Sequence, residues 1–242
     1  MNLLQCISDL HLEKNDIYEQ DFVNILKPVS EIVILGGDIG NPFTEIYEKF
    51  VCYCSKNFTV VLIIAGNHEY YGNTIQETDE KMNNLCVGNG IGNVHYLNNK
   101  TFNYNEITFI GTTLWSDIPQ ESHMDCLTLL KDYTMIQNFS LEKQKSMYQT
   151  NLDFIQTSLS TNHNCIIISH HAPTYLSIPS EFVGDKLNCC FASHLDHLLV
   201  HENLIGWIYG HTHHNYIHYT EHRFIYSNCY RTADYKNAQP IL

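Results

Sequence analysis

Thr59-Val60-Val61-Leu62-Ile63-Ile64-Ala65 runs directly into Gly66-Asn67-His68-Glu69. The first seven residues are uncharged and mostly β-branched, the pattern of a strand covered on both faces. The four that follow carry an amide, an imidazole and a carboxylate. The same join recurs along the chain. Residues 3–8 lead into Asp9-Leu10-His11, and residues 31–35 into Gly37-Asp38. Residues 165–169 lead into His170-His171, and residues 206–209 into Gly210-His211-Thr212-His213. Between these runs the spacing changes to a helical one. Tyr18, Phe22 and Leu26 recur every four residues, residues 43–57 read as a helix, and Tyr148, Leu152, Ile155 and Leu159 form a stripe across 140–159. Strands alternating with helices predict a layered α/β fold. In the middle, residues 94–97, 101–104 and 107–111 are short and separated by Asn-rich turns, which predicts hairpins. Residues 216–219 and 223–227 repeat that pattern in the tail. The expected architecture is a sandwich of two sheets with helices outside, in one domain spanning 1–242.

Five polar clusters directly after five strands converge if the strands lie in register, because ligands of layered α/β folds bind outside the carboxyl ends of strands. Carboxylate, imidazole and amide oxygen suit hard-to-borderline divalent metals, and no cluster contains cysteine. Asp9 and His11 are two apart, as are His211 and His213. In an extended stretch that spacing places both side chains on one face. Two metals roughly 3.5–4 Å apart clamp the attacking and leaving oxygens of an in-line displacement at phosphorus.

The chain has 242 residues, with 26 acidic and 13 basic, for a formal charge of −13. That balance disfavours double-stranded nucleic acid as a partner, since phosphate-backbone binding needs a basic face. A small phosphate ester remains compatible, because bound cations reverse the local field. The nine cysteines are irregularly spaced with no CxxC pair. Those in apolar runs, such as Cys6 and Cys165, read as small buried hydrophobes. A reducing compartment is expected. The first residues lack a basic region and meet Asp9 early, so they do not read as a signal peptide. No apolar run reaches the 18 or so residues of a membrane span. A soluble, cytoplasmic protein is the expectation.

Taken together, Asp9-Leu10-His11, Gly37-Asp38, Gly66-Asn67-His68-Glu69, the His170 cluster and Gly210-His211-Thr212-His213 resemble the calcineurin-like metallophosphoesterases. The resemblance spans residues 9–213. It implies a four-layer αββα sandwich of two mixed sheets and a dinuclear metal centre at the rim. Carried over by position, Asp9, His11 and His213 hold one metal, Asn67, His170 and His211 hold the other, and Asp38 bridges both. His68 is the catalytic residue, acting on substrate as general acid or phosphate-oxygen partner rather than as a ligand. The implied reaction is in-line attack of a metal-bridging hydroxide on a phosphodiester or phosphomonoester of a small molecule or nucleotide. Manganese, iron (Fe2+ or Fe3+), nickel, cobalt and zinc all suit the ligands. Gly111-Thr112-Thr113-Leu114-Trp115-Ser116-Asp117, Asp132-Tyr133, Ser169-His170-His171-Ala172-Pro173-Thr174, Leu187-Asn188 and Phe191-Ala192-Ser193 are similar to a branch of uncharacterised phosphohydrolases.

One departure narrows the substrate. Protein phosphatases of the superfamily extend the Gly-Asp motif to GDxxDRG, whereas Asp38 is followed by Ile39-Gly40-Asn41-Pro42. The acid and arginine are missing, so a diester of a small molecule is favoured over a phosphoprotein. The acid that orients His68 is then open among Glu69, Asp117 and Asp132. Candidate substrate contacts are Tyr70, His171 and Arg231. Arg231 is one of two arginines, and a guanidinium suits phosphate; packed or surface positions are the alternatives for all three. His194, His197 and His201 fall at helical spacing and read as solvated or packed. Residues 174–188 read as a loop beside His170. A rival to catalysis is a non-catalytic scaffold of the same fold; protein partners are not readable.

Overall fold

The computed structural model describes residues 3–14, 16–87 and 92–230. Its strands form two sheets. The first contains β1 (Leu4–Ile7), β2 (Ile32–Gly36), β3 (Val60–Ile64) and β4 (Val94–Tyr96), in that spatial order and parallel throughout. The second runs β5 (Lys100–Tyr104), β6 (Ile107–Thr112), β7 (Cys165–Ser169), β8 (Leu204–Tyr209), β10 (Phe224–Ser227) and β9 (Ile217–Tyr219). Here β6, β7, β8 and β10 are parallel, and the edge strands β5 and β9 are antiparallel.

Alternate residues of the apolar runs go to opposite layers. Ile32, Ile34, Val60, Leu62 and Ile64 pack inward against Phe109, Ile166, Ile168, Ile208 and Phe224 of the second sheet. Val33, Leu35, Val61 and Ile63 face outward, against Phe22 of α1 (Phe22–Ile25), Phe50 of α2 (Glu45–Asn57) and Met82 of α3 (Ile75–Val87). On the other side Ile110, Ile167 and Trp207 pack on Ile155 and Leu159, which belong to the 21-residue helix Leu141–Thr161. This is the four-layer αββα sandwich, and it explains strands with no polar face.

The structure corrects four details. Residues 94–97 do not open a hairpin: β4 extends the first sheet, and the chain crosses to the second at Leu97–Asn99. The real hairpin is β5–β6, whose turn residues Asn105 and Glu106 have φ of 45° and 64°, the left-handed pair a tight hairpin turn requires. The Tyr18–Phe22–Leu26 stripe is a 3-10 turn (Glu19–Asp21) followed by the single turn of α1, and Tyr18 is exposed. His194, His197 and His201 do not share a helix face. The helix there covers only Asp196–Leu199; His194 stacks on Tyr175 with centroids 4.0 Å apart, and His201 Nδ1 accepts from the Asn203 amide. Helix α3 has no counterpart in the sequence reading, because it buries only Thr78 and Met82. None of the nine cysteines is disulfide-bonded. Among the described residues no helix is long and apolar enough to cross a membrane.

Candidate metal centre

The two sheets meet at their carboxyl ends. The Ser8 amide donates to the Asn228 carbonyl, the Tyr230 amide donates to the Ser8 carbonyl, and Asn228 Nδ2 donates to the Cys6 carbonyl. That seam brings the loops after β1, β2, β3, β7 and β8 to one rim. Asp9, His11, Asp38, His211 and His213 all adopt left-handed backbone, with φ of 57°, 48°, 52°, 66° and 48°. Asp-x-His is therefore not an extended stretch, as the spacing alone had implied. Isolated left-handed residues aim both side chains at the rim while Leu10, between them, is fully buried. Such residues cost about 1–3 kcal/mol each and cluster at functional sites.

All seven residues expected to hold metal meet here. Asp9, His11 and His213 form one group, Asp38, His170 and His211 another, and His11, Asp38 and His68 a third that links them, with ligand atoms within 4.8 Å of one another in each. His11 Nε2 lies 3.3 Å from His213 Nε2, and His213 Nε2 lies 3.4 Å from Asp9 Oδ1. Asp38 stands between the groups, with Oδ1 3.4 Å from His170 Nε2 and Oδ2 3.8 Å from His11 Nε2.

The second layer of contacts aims these atoms. His170 Nδ1 lies 2.9 Å from the Gly36 carbonyl and donates to it, which turns the lone pair of Nε2 inward, where Nε2 is buried without a partner. His211 Nε2 faces the Cys190 carbonyl at 3.3 Å, leaving Nδ1 for the rim. Asn67 Nδ2 donates to Asp132 Oδ1 at 2.8 Å, and its Oδ1 is buried and unpartnered. Orphaned acceptors are rare in native structures and call for a missing partner. Imidazole, carboxylate and amide-oxygen donors around two such voids fit a pair of divalent cations.

Charge around Asp38 follows the same arrangement. Burial opposes its ionisation, but His170, His68 and His11 outweigh it and hold the carboxyl well below the usual range. Burial lowers His170, yet Asp38 and Asp9 raise it to about 10. His171 is pushed down to about 3 by burial and by His170. A metal held at His170 Nε2 would take the place of its proton, so metal binding would release it.

Two acids do work that the sequence did not reveal. Glu69 does not touch His68. It is fully buried, and its carboxylate accepts four backbone N–H bonds: Gly66 at 2.7 Å, Asp38 at 2.8 Å, Ile39 at 2.7 Å and Gly40 at 3.2 Å. It thus ties the loops after β2 and β3 together. Burial and Asp38 push it up to about 7, against those donors, which favour the ionised form. Glu69→Gln sets an amide N–H₂ against backbone donors. An unsatisfied buried donor costs about 1–3 kcal/mol, and chemical denaturation of the metal-free variant is expected to show a loss of that size.

Glu13, two residues beyond His11, is the acid beside His68. Its Oε1 lies 3.4 Å from His68 Nδ1 and 3.5 Å from His11 Nδ1. Burial opposes its ionisation, and His11 and His68 draw it down to about 2. The alternation Asp9, His11, Glu13 was the available signal. Lys14 Nζ also reaches His68 Nδ1, at 3.0 Å. Asp132 serves Asn67 and the Tyr71 hydroxyl, the latter at 2.6 Å. Asp132→Ala frees the Asn67 amide to rotate and is expected to weaken metal binding about 10–100-fold, the usual effect of losing such a support, measured by metal titration calorimetry.

Asp38, Asn67, His68, His211 and His213 line a cavity of about 290 Å³, walled further by Tyr71 and Leu129–Asp132. Two expected substrate contacts are turned away from it. Tyr70 is fully buried and donates its hydroxyl to Asp79 at 3.1 Å; Tyr71 takes the cavity position. His171 is 1% exposed, wedged between Trp115 and His211. Arg231 lies outside the described residues.

Residues 5–215 match the calcineurin-like phosphoesterase family. A curated relative, an uncharacterized protein of Acanthamoeba polyphaga mimivirus, is 30% identical over 257 positions, covering 94% of this chain and 88% of that one. Among solved structures, the phosphopantetheinyl hydrolase of Mycobacterium tuberculosis superposes with a TM-score of 0.70 at 14% identity, over 94% of this chain and 88% of its own. A dimetal phosphatase from Danio rerio gives 0.54 at 14% identity, over 93% and 86%. At such identities the likeness is one of fold. The match of residues 5–215, across nearly the whole described chain, makes this protein a member of the calcineurin-like phosphoesterase family.

Proposed function

We propose that this chain hydrolyses a small-molecule or nucleotide phosphodiester with two divalent metals, through the residues gathered around Asp38. The observation that carries the reading is Asp38 itself: a buried carboxylate that belongs to one group of ligand atoms with His170 and His211 and to another with His11 and His68, with unpartnered atoms on Asn67 Oδ1 and His170 Nε2. Asp9, His11 and His213 would hold one ion, and Asn67, His170 and His211 the other, with Asp38 common to both. When bound, two such ions lower the pKa of the water they share and offset charge on the phosphoryl oxygens.

The protein's own groups do the rest. His68 lines the cavity and places Nε2 3.9 Å from Asp38 Oδ2. Its ring is placed to meet a phosphoryl or leaving oxygen, with Glu13 Oε1 and Lys14 Nζ behind Nδ1 fixing its orientation. Lys14, beside His68, and Lys131, on the wall, supply positive charge for an anionic ester. A monoester dianion brings one more charge into an acidic protein than a diester does, which favours the diester. The mycobacterial neighbour's name, a phosphopantetheinyl hydrolase, is in keeping with a small phosphate ester.

The test is turnover of bis-p-nitrophenyl phosphate beside p-nitrophenyl phosphate, with Mn2+ added and His68→Ala as control. Diester turnover that exceeds monoester turnover and needs metal and His68 is expected. Monoester preference makes the protein a phosphatase. No turnover of either ester or of a nucleotide panel, in folded metal-loaded protein, favours the scaffold reading.

A further inference from the structure

Three thiols from two distant stretches meet behind the cavity wall. Cys126 lies on α4 (His123–Leu129), and Cys189 and Cys190 end the 3-10 turn Lys186–Cys190. Cys126 Sγ is 2.9 Å from Cys190 Sγ, and Cys190 Sγ is 4.0 Å from Cys189 Sγ. All three sulfurs lie within 4.8 Å of one another, and no residue of the trio is more than 5% exposed. Ile118, Leu130, Tyr133, Leu187 and Phe191 enclose them. Cys6 and Cys165 also sit in apolar surroundings, but each packs among hydrocarbon side chains. Here the sulfurs face one another.

We propose that Cys126, Cys189 and Cys190 form a third metal site, chemically distinct from the aspartate–histidine centre, for one soft d10 cation of the copper(I) or zinc class. Thiolates select such cations, whereas carboxylate and imidazole serve the harder ones. Metal–sulfur bonds of about 2.3 Å hold three sulfurs roughly 3.8–4.0 Å apart, so the Cys126–Cys190 pair has to open by about 1 Å. Three sulfurs without a fourth strong donor suit three-coordinate copper(I); zinc would complete its shell with water or a hydroxyl. Hydrogen bonding from Cys190 draws the Cys189 thiol down to about 6 against the opposing effect of burial, with Ser122 and Cys126 adding to it. Loading would release the protons of the thiols that bind the cation.

The position gives the site a mechanical role. Helix α4 leads into Leu129–Lys131, and the turn leads into Phe191; both stretches wall the cavity. The Cys190 carbonyl also faces His211 Nε2. A cation held by the three sulfurs ties both walls together behind His211.

The test titrates reduced, chelator-treated full-length protein with Cd2+ alone and follows thiolate-to-cadmium charge-transfer absorption, which carboxylate and imidazole ligands do not produce. One equivalent is expected to saturate the band. Cys126→Ser and Cys189→Ser should each weaken cadmium binding in that band at least tenfold, while Cys52→Ser leaves it unchanged. The double variant Asp9→Asn/Asp38→Asn should also keep the band, so this result stands apart from the fate of the phosphoesterase reading. Circular dichroism confirms that each variant is folded. No band in folded, reduced wild-type protein, or the same band in both serine variants, overturns the proposal. So does a thiol count in denaturant that rises by two on reduction and maps to Cys126 and Cys190, because that pair would then be a disulfide.

Discussion

Asp38→Asn is expected to lower turnover by more than about 10³-fold and to reduce bound metal to one ion or fewer per chain. Asparagine keeps the shape of the side chain, so the fold around it survives. It removes the negative charge and replaces one acceptor oxygen with an N–H₂ group. In the structure those two oxygens face different partners: Oδ1 faces His170 Nε2 at 3.4 Å and accepts from the His68 amide at 2.8 Å, and Oδ2 faces His11 Nε2 at 3.8 Å. Among the described residues no other carboxylate stands between the two groups of ligand atoms in this way. Losing it uncouples both groups at once, whereas losing His11 or His170 would weaken only one. The size of the effect follows from the nucleophile: bound metal brings the pKa of water from 15.7 to about 7, and without it hydroxide is scarce at neutral pH. Metal content after desalting, measured by mass spectrometry, and turnover with added Mn2+ are the readouts. The metal-free variant is expected to melt below metal-free wild type, because the charged carboxylate it removes is stabilised by His170, His68 and His11. A variant that keeps two tightly bound ions overturns the central role of Asp38.

His68→Ala is expected to lower kcat about 10²–10⁴-fold, the usual contribution of a positioned proton donor, while metal content stays at the wild-type level. The separation is structural. The His68 backbone amide donates to Asp38 Oδ1 at 2.8 Å, a bond alanine retains, whereas the ring Nε2 stands 3.9 Å from Asp38 Oδ2. The ring itself leans edge-on against His11 at 4.5 Å and over Tyr71 at 4.2 Å, with Nδ1 toward Glu13 and Lys14. Glu13→Gln should move the same quantity in the same direction by less, because it removes the carboxylate that stands behind the His68 ring and fixes its orientation. Loss of metal in His68→Ala would make His68 a ligand and would require a new donor for the leaving oxygen.

These expectations separate what a one-dimensional reading carries from what it does not. The strand runs were legible because burial on both faces leaves no polar position in Ile32–Gly36, Val60–Ile64 or residues 165–168. The residues that meet at the rim were legible for a related reason. Each lies within a few residues of a strand end, so strand order alone delivers it to the same edge. Helix α3 was not legible, because it rests on the sheet through few apolar residues. The parallel pairing of β4 was not legible either, because a short strand beside an Asn-rich turn looks the same whichever sheet receives it.

Polar supports were hidden for a different reason. Nothing in the local pattern of Glu69 says that it will accept N–H bonds from residues 66 and 38–40, or that Asp132 will hold Asn67 from a helix 65 positions away. Hydrogen bonds depend on distances between loops, and those distances exist only once the sheets have docked. The sequence by itself determined the layered fold, the edge where chemistry gathers and the residue types gathered there, because periodicity and strand ends are local properties of the chain. Only the tertiary structure decided which acid attends His68, which tyrosine faces the cavity, and that Cys126 meets Cys189 and Cys190, because each of those contacts joins segments whose spacing is set by packing and not by sequence.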